Sequence, residues 1–501
     1  MSRTWVLGLL GCLFATLAGC GQQRDGRVVI ALISGCDPSL SDVQQAIDMY
    51  CVSIEEPAGG LLDGPNCSTA LTGVRLEIDE PARPVVVVVE GLERLDGERH
   101  RLLLRGRSAP VLLRSGEETE VPVPLAPLER FGLLAADRVG CPLLPHPVVD
   151  HTTSVFPSGH LLIIGSGADD VDPDAAAVLI DGWTHAVERL PTPNSLYRSD
   201  HLAALFEDGR LVIAGGRLTA GGAATREVVV LRGAEILEAV PDAGVDVAAA
   251  LSFEPLERPL VWSRPLPAGE LFFGRQLLIA DGDQPAEMFM GDSEVSDELE
   301  VTGGQAFPQS GRTPTVVAYG RDKAIVAGAA NRVGRLTVAN GNRQAIYQST
   351  AAAVSARDGA PGLALPDGTV MVIGHRAGPA GVPDSPLLAI DPGGDGLQPT
   401  ATPIPVPAEF PERGHAACLL PDGRVLVTGG VTDAGEPAAT HLVLPADNPI
   451  GWEVIAGPAL NVARRDHTVD LLPDGRVLII GGEAIRAGDE DPSRSVELIA
   501  F

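Results

Sequence analysis

Residues 414–430 read GHAACLLPDGRVLVTGG: a short run with apolar positions, a Pro-Asp-Gly turn, an apolar return run and a pair of glycines. The pattern recurs at 466–482 as DHTVDLLPDGRVLIIGG. Two apolar or β-branched runs joined by an Asp-Gly turn, which supplies positive φ, predict a β-hairpin. Further copies are DHTTSVFPSGHLLIIGSG at 150–167 and DHLAALFEDGRLVIAGG at 200–216. Weaker ones are GLALPDGTVMVIG at 362–374 and TPTVVAYGRDKAIVAG at 313–328, and the weakest is RPLPAGELFFG at 264–274. Turns placed at 157, 207, 267, 320, 366, 421 and 473 are separated by 50, 60, 53, 46, 55 and 52 residues. That period predicts a propeller or a solenoid.

The return runs VLVTGG and VLIIGG are apolar nearly throughout, as strands buried on both faces must be. The glycine pairs Gly215 and Gly216, Gly429 and Gly430, and Gly481 and Gly482 let the chain leave such a strand close to a neighbour. A unit of this length has room for two more strands, for example THLVL at 440–444 and GWEVIAG at 451–457. Four strands per unit make a propeller blade. The chain ends in SVELIAF, residues 495–501, only the third strand of the last unit. LERFGLLAA at 128–136 is placed to supply the fourth, which removes two open sheet edges. Upstream, RPVVVVVEGL, RHRLLLRG and TEVPVPLAPL predict strands, and Ser41-x-x-Gln44 opens a predicted helix over 41–50. The expectation is all-β: a small β-sandwich-like domain at 20–127 followed by a propeller at 128–501.

With its Asp-His and Gly-His openings, its Gly-Gly strand ends, and Trp183 and Trp452 each 15 to 18 residues before the next opening histidine, the region resembles the kelch-repeat β-propellers, including that of galactose oxidase. The third and fourth units lack the histidine and the glycine pair, so spacing gives seven blades, with six as the alternative. The galactose-oxidase resemblance would imply copper held by a Cys-linked tyrosine with further tyrosine and histidine ligands. This chain has only Tyr50, Tyr197, Tyr319 and Tyr347, none beside a histidine. Copper-radical oxidation is therefore not expected, and no cofactor is assigned.

The N-terminus changes the picture of where the protein works. Arg3 precedes an apolar run from Trp5 to Leu17, too short to span a bilayer, followed by Leu17-Ala18-Gly19-Cys20. That ending resembles the lipobox of bacterial lipoproteins, which implies cleavage after residue 19 and lipid attachment at Cys20. Gly21 resembles the sorting position of outer-membrane lipoproteins. The expected partner on this side is the lipid bilayer, reached through the Cys20 anchor. The net charge of −29 repels nucleic acid and anionic head groups. In an oxidising envelope Cys36, Cys51, Cys67 and Cys141 are disulfide candidates, with Cys418 left over in a repeat strand.

Candidate chemistry is sparse. His151, His201, His415 and His467 stand at equivalent places in successive units, three of them after Asp150, Asp200 and Asp466. Imidazole beside carboxylate suits a general base or a metal ligand. Equivalent placement instead predicts that a full sheet separates them and that they hydrogen-bond to neighbouring backbone. Acidic runs occur at 169–174, 291–300, 391–396 and 488–492. Asp169, Asp170, Asp172 and Asp174 are weak calcium candidates, without the full loop and closing glutamate of a calcium-binding hand. No nucleophile elbow, phosphate loop or HExxH is present. The expected function is a non-catalytic envelope scaffold binding an unknown protein or glycan. The alternative is an extracellular carbohydrate-active enzyme using one propeller face.

Overall fold

The computed structural model describes residues 27–33, 39–70, 83–95, 99–113, 118–135, 144–165, 176–218, 222–240, 245–281, 283–309, 313–328, 332–353, 360–374, 385–394, 398–446, 451–486, 491 and 493–501. They form an N-terminal sheet and a seven-bladed propeller.

The N-terminal strands lie in the order Arg27–Ile33, Glu118–Pro127, His100–Arg107, Pro84–Arg94, Met49–Glu55, Leu61–Ser68, with Val111–Leu112 beside Pro84–Arg94. The first pair is parallel, and the other pairs are antiparallel. Val85 to Val89 are all buried, so both faces of that strand are covered. The sheet curls over a core of Val52, Ile54, Val87, Val121 and Val123. The helix runs over Ser39–Ala46 rather than 41–50, which places Ser41 inside it and not at its cap; the chain is already extended from Met49. Val43 and Ile47 bring this segment onto the core.

In the propeller, the inner strands Thr152–Val155, Leu202–Leu205, Ala268–Phe272, Thr315–Ala318, Gly362–Ala364, Ala416–Leu419 and Thr468–Leu471 each touch the next, and the last touches the first. Seven blades therefore close a ring. The inner strands are mostly half-buried, whereas the second strands are buried almost throughout. Alternate residues of each second strand enter the two flanking seams. Leu161 and Ile163 of blade 1 pack with Leu478 and Ile480 of blade 7, while Leu162 and Ile164 pack with Leu211 and Ile213 of blade 2. All seven seams are filled this way, which is why these runs carry no polar alternation.

The last blade orders Thr468–Leu471, Arg476–Ile480, Val496–Ala500 and then Gly132–Ala135, so a strand from upstream of blade 1 completes the ring. Phe131, just before it, is 1 % exposed between blades 6 and 7. The third hairpin turns at Phe273 to Arg275, not at 267; Pro267 precedes its inner strand. Blade 4 gains a fifth strand, Glu300–Gly304, parallel to Gln344–Ala353. Arg105, Gly106 and Arg107 of the N-terminal sheet share a cleft with Pro421, Pro473, Gly475 and Phe501. That sheet thus packs on the face of the hairpin turns, leaving the histidine openings on the other face.

Candidate functional site at the axial face

Each opening has a backbone reason. Asp150, Asp200 and Asp466 adopt φ of 48°, 55° and 53°, and Gly414 adopts 66° at the equivalent place in blade 6. The left-handed residue turns the chain into the inner strand, and Asp tolerates it better than most side chains. The Asp200 N–H donates to the Asp150 carbonyl at 2.9 Å, and that of Asp466 to the Gly414 carbonyl at 2.7 Å. The openings of adjacent blades are therefore direct neighbours across one seam, closer than a full sheet apart.

The histidines join blades. His201 Nε2 meets Thr152 Oγ1 of blade 1 at 2.7 Å, His151 Nε2 meets Thr468 Oγ1 of blade 7 at 3.2 Å, and His467 Nε2 meets Thr428 Oγ1 of blade 6 at 2.9 Å. Their partners are threonine hydroxyls, not the backbone that spacing alone suggested. His415 lies against Ile373 and Gly374 of blade 5. Burial holds all four neutral: His151 falls to about 3, His415 to about 4, and His201 and His467 lie well below the usual range. Gly429, at φ 59°, leaves room for this packing; a Cβ there would sit 2.5 Å from both the Arg464 carbonyl and His467 Cε1. Gly215, Gly216, Gly430, Gly481 and Gly482 likewise have positive φ at the ends of second strands.

Around this mouth the carboxylates repel one another. Burial first, then Asp200, Asp466 and Glu483, raise Asp150 to about 6 against the pull of Arg465. Burial also raises Asp200 and Asp466. Arg217 stands 3.6 Å from Asp200, and Arg465 stands 3.7 Å from Asp466 and pairs with Glu483.

Two acids on inner strands escaped sequence reasoning. Burial pushes Glu270 of blade 3 up to about 7, although it accepts backbone N–H groups of Ala318 and Leu271. Burial likewise raises Asp470 of blade 7 to about 6, although Thr153 of blade 1 donates to it at 2.7 Å. Both sit three residues past the opening position, and the signal was a lone charge within a predicted core hairpin.

A second unread feature is a set of buried latches. Arg198, Arg264 and Arg464 stand three residues before the openings of blades 2, 3 and 7, each wholly buried. Arg464 Nη2 pairs with Glu497 at 2.6 Å and Arg264 Nη2 with Glu287 at 2.8 Å, all four side chains at 0 % exposure. Arg198 reaches Glu227 at 3.4 Å, but that glutamate is half exposed. Each buried glutamate also accepts two consecutive backbone N–H groups, Val261 and Trp262 or Asn461 and Val462. The entering segment is thereby tied to the third strand of its own blade.

Cys51 and Cys67 lie opposite one another on adjacent strands and form a disulfide. Cys418 is a buried free thiol, pushed up to about 12 by burial and by Asp470. Cys20, Cys36, Cys141 and Asp169, Asp170, Asp172 and Asp174 lie outside the described residues.

No family model matches the chain, and no curated protein is similar to it. Among solved structures it is similar to a fungal alcohol oxidase with catalytic diversity among the AA5 family, in complex with copper, at 16 % identity and a TM-score of 0.54 over 74 % of this chain and 76 % of that one. The shared feature is the fold. The mouth residues do not fit the metal: three of the four histidines spend Nε2 on threonines, Tyr50 lies in the N-terminal sheet, and Tyr197, Tyr319 and Tyr347 pack into seams between blades. Among the described residues no three His, Cys, Asp or Glu side chains group to hold a metal ion.

Proposed function

We propose that this chain is a membrane-anchored envelope lipoprotein whose propeller acts as a non-catalytic binding scaffold. In this reading Cys20 carries the lipid, and an envelope protein or glycan engages the axial face rimmed by Asp150, Asp200, Asp466 and Glu483. The observation that carries it is the placement of the N-terminal sheet against the hairpin-turn face. Cys20 precedes the first strand by seven residues, so a tether there turns the acidic mouth away from the bilayer. The neutral, blade-joining histidines favour a structural role for what first resembled a catalytic motif.

One observation favours the second reading, a carbohydrate-active enzyme. Glu270 and Asp470 hold protons toward neutral pH on inner strands, as a general acid must. The experiment uses mature protein as bait for envelope extracts and on a glycan array, beside the triple variant Asp150→Asn/Asp200→Asn/Asp466→Asn. Capture of one protein or glycan by the wild type, lost in a variant of unchanged melting temperature, supports the scaffold. Equal capture by both overturns the assignment of the face. Glycan cleavage abolished by Glu270→Gln transfers the function to the enzyme reading.

A further inference from the structure

Away from the axial mouth, residues 144–148 run along blade 7 on their way into blade 1. The Leu144 N–H donates to the Arg494 carbonyl at 3.0 Å and the Val148 N–H to the Ser493 carbonyl at 2.8 Å. Between them His146 is 5 % exposed, and neither of its ring nitrogens has a hydrogen-bond partner among the described residues. A buried imidazole left so is uncommon, because each unsatisfied polar atom forfeits its hydration.

Two guanidinium groups converge beside it. Arg494 donates from Nε to the Leu144 carbonyl at 2.7 Å and from Nη2 to the Pro145 carbonyl at 3.4 Å. Arg189, on the outer strand Val187–Leu190 of blade 1, donates from Nη2 to the same Pro145 oxygen at 2.8 Å. Neither arginine has a carboxylate partner among the described residues. Their acceptors among those residues are backbone carbonyls, as for Arg226, whereas Arg107, Arg210, Arg232, Arg264 and Arg464 pair with carboxylates. The Asp491 carboxylate is turned to Ser493, whose N–H and hydroxyl it accepts. Glu188 neighbours Arg189 along the strand and so projects to the opposite face.

We propose that Arg189, Arg494 and His146 form a binding site for a small oxyanion group, a carboxylate or a phosphate, in the seam between blades 7 and 1. Two positive forks sharing one carbonyl repel each other, and most of their N–H donors have no acceptor among the described residues. An oxyanion between them accepts from both and takes a hydrogen bond from the imidazole, which satisfies the orphaned ring. The site gives the protein a handle for an acidic substituent on a larger ligand. It goes beyond the scaffold assignment and stands whether or not the axial face binds a partner.

The test is melting of the mature protein in millimolar phosphate or acetate at constant ionic strength, with chloride as control. Both burial and the two arginines hold His146 down to about 4. Binding should raise the melting temperature saturably. It should also lift the His146 titration, read from its ring nitrogens by NMR, by about one unit or more. Arg189→Gln, at an exposed position, should weaken the apparent affinity about tenfold. Response to phosphate alone assigns a phosphate ligand, and response to acetate alone a carboxylate. No saturable shift with either anion, or an equal shift in Arg189→Gln, overturns the proposal.

Discussion

The buried latches allow a graded test, because the same arginine-glutamate pair occurs in three environments. In Glu497→Gln the Arg464 guanidinium loses its carboxylate at 0 % exposure, and one half of the new amide presents a donor toward the Asn461 and Val462 N–H groups. Removing one partner of a wholly buried pair costs about 3–5 kcal/mol, because the remaining charge has no water to return to. With an unfolding entropy of about 2.1 cal/mol/K per residue over roughly 370 residues, that is a drop in melting temperature of about 5 °C. Glu287→Gln should cost less than Glu497→Gln, because Arg264 keeps the buried Asp281 carboxylate at 3.0 Å. Glu227→Gln should cost only about 0–1 kcal/mol. Glu227 is half exposed, and Arg198 keeps the Ser195, Gly215 and Glu227 carbonyls as acceptors. Replacing both members, Arg464→Met/Glu497→Leu, should be less harmful than Glu497→Gln alone, since no charge is stranded. Calorimetry at pH 7.5, with urea titration as a check on reversibility, reads all four. Equal losses for Glu227→Gln and Glu497→Gln, or a double variant worse than the single, would refute burial as the source of the effect.

Phe131→Ala, which empties the seam beside the closing strand, should cost about 3–5 kcal/mol; melting within a degree of wild type would show that the seam does not support closure. Glu270 rises from 4.5 to about 7 by burial, so its contribution to stability is complete below about 4.5 and is lost as pH rises through 7. Glu270→Gln should therefore gain on wild type between pH 5 and 8, by up to about 3 kcal/mol, and a stability difference flat across that range contradicts the shift. The buried histidines act oppositely: their stabilisation is present above 6.5 and lost as acid protonates them, with His151 resisting to about 3. Cys20→Ala should release the protein from membranes, and unchanged fractionation would end the lipid-anchor assignment.

The hairpins, the upstream closing strand and the blade count were legible because a β-strand buried on both faces must be apolar at every position. A run such as VLIIGG has few other homes. The third turn was misplaced because Phe273-Gly274-Arg275 lacks the Pro-Asp-Gly signature and Pro267 carried a false one. The helix start was misread because Ser41 offered a capping pattern two residues inside the segment that folds.

Sequence alone determined the repeat, the hairpins with second strands buried on both faces, and the Asp-Gly and Ser-Gly turns that join them. Those follow from local backbone and hydration physics acting on a few adjacent residues. Only the tertiary structure decided what the polar residues do. Whether His201 finds a metal or Thr152, whether Arg464 is exposed or sealed against Glu497, and whether Arg189 and Arg494 meet across 305 residues of chain depend on ring closure. Those side chains lie far apart in sequence, and their partners are set by the seam between blades rather than by their neighbours along the chain.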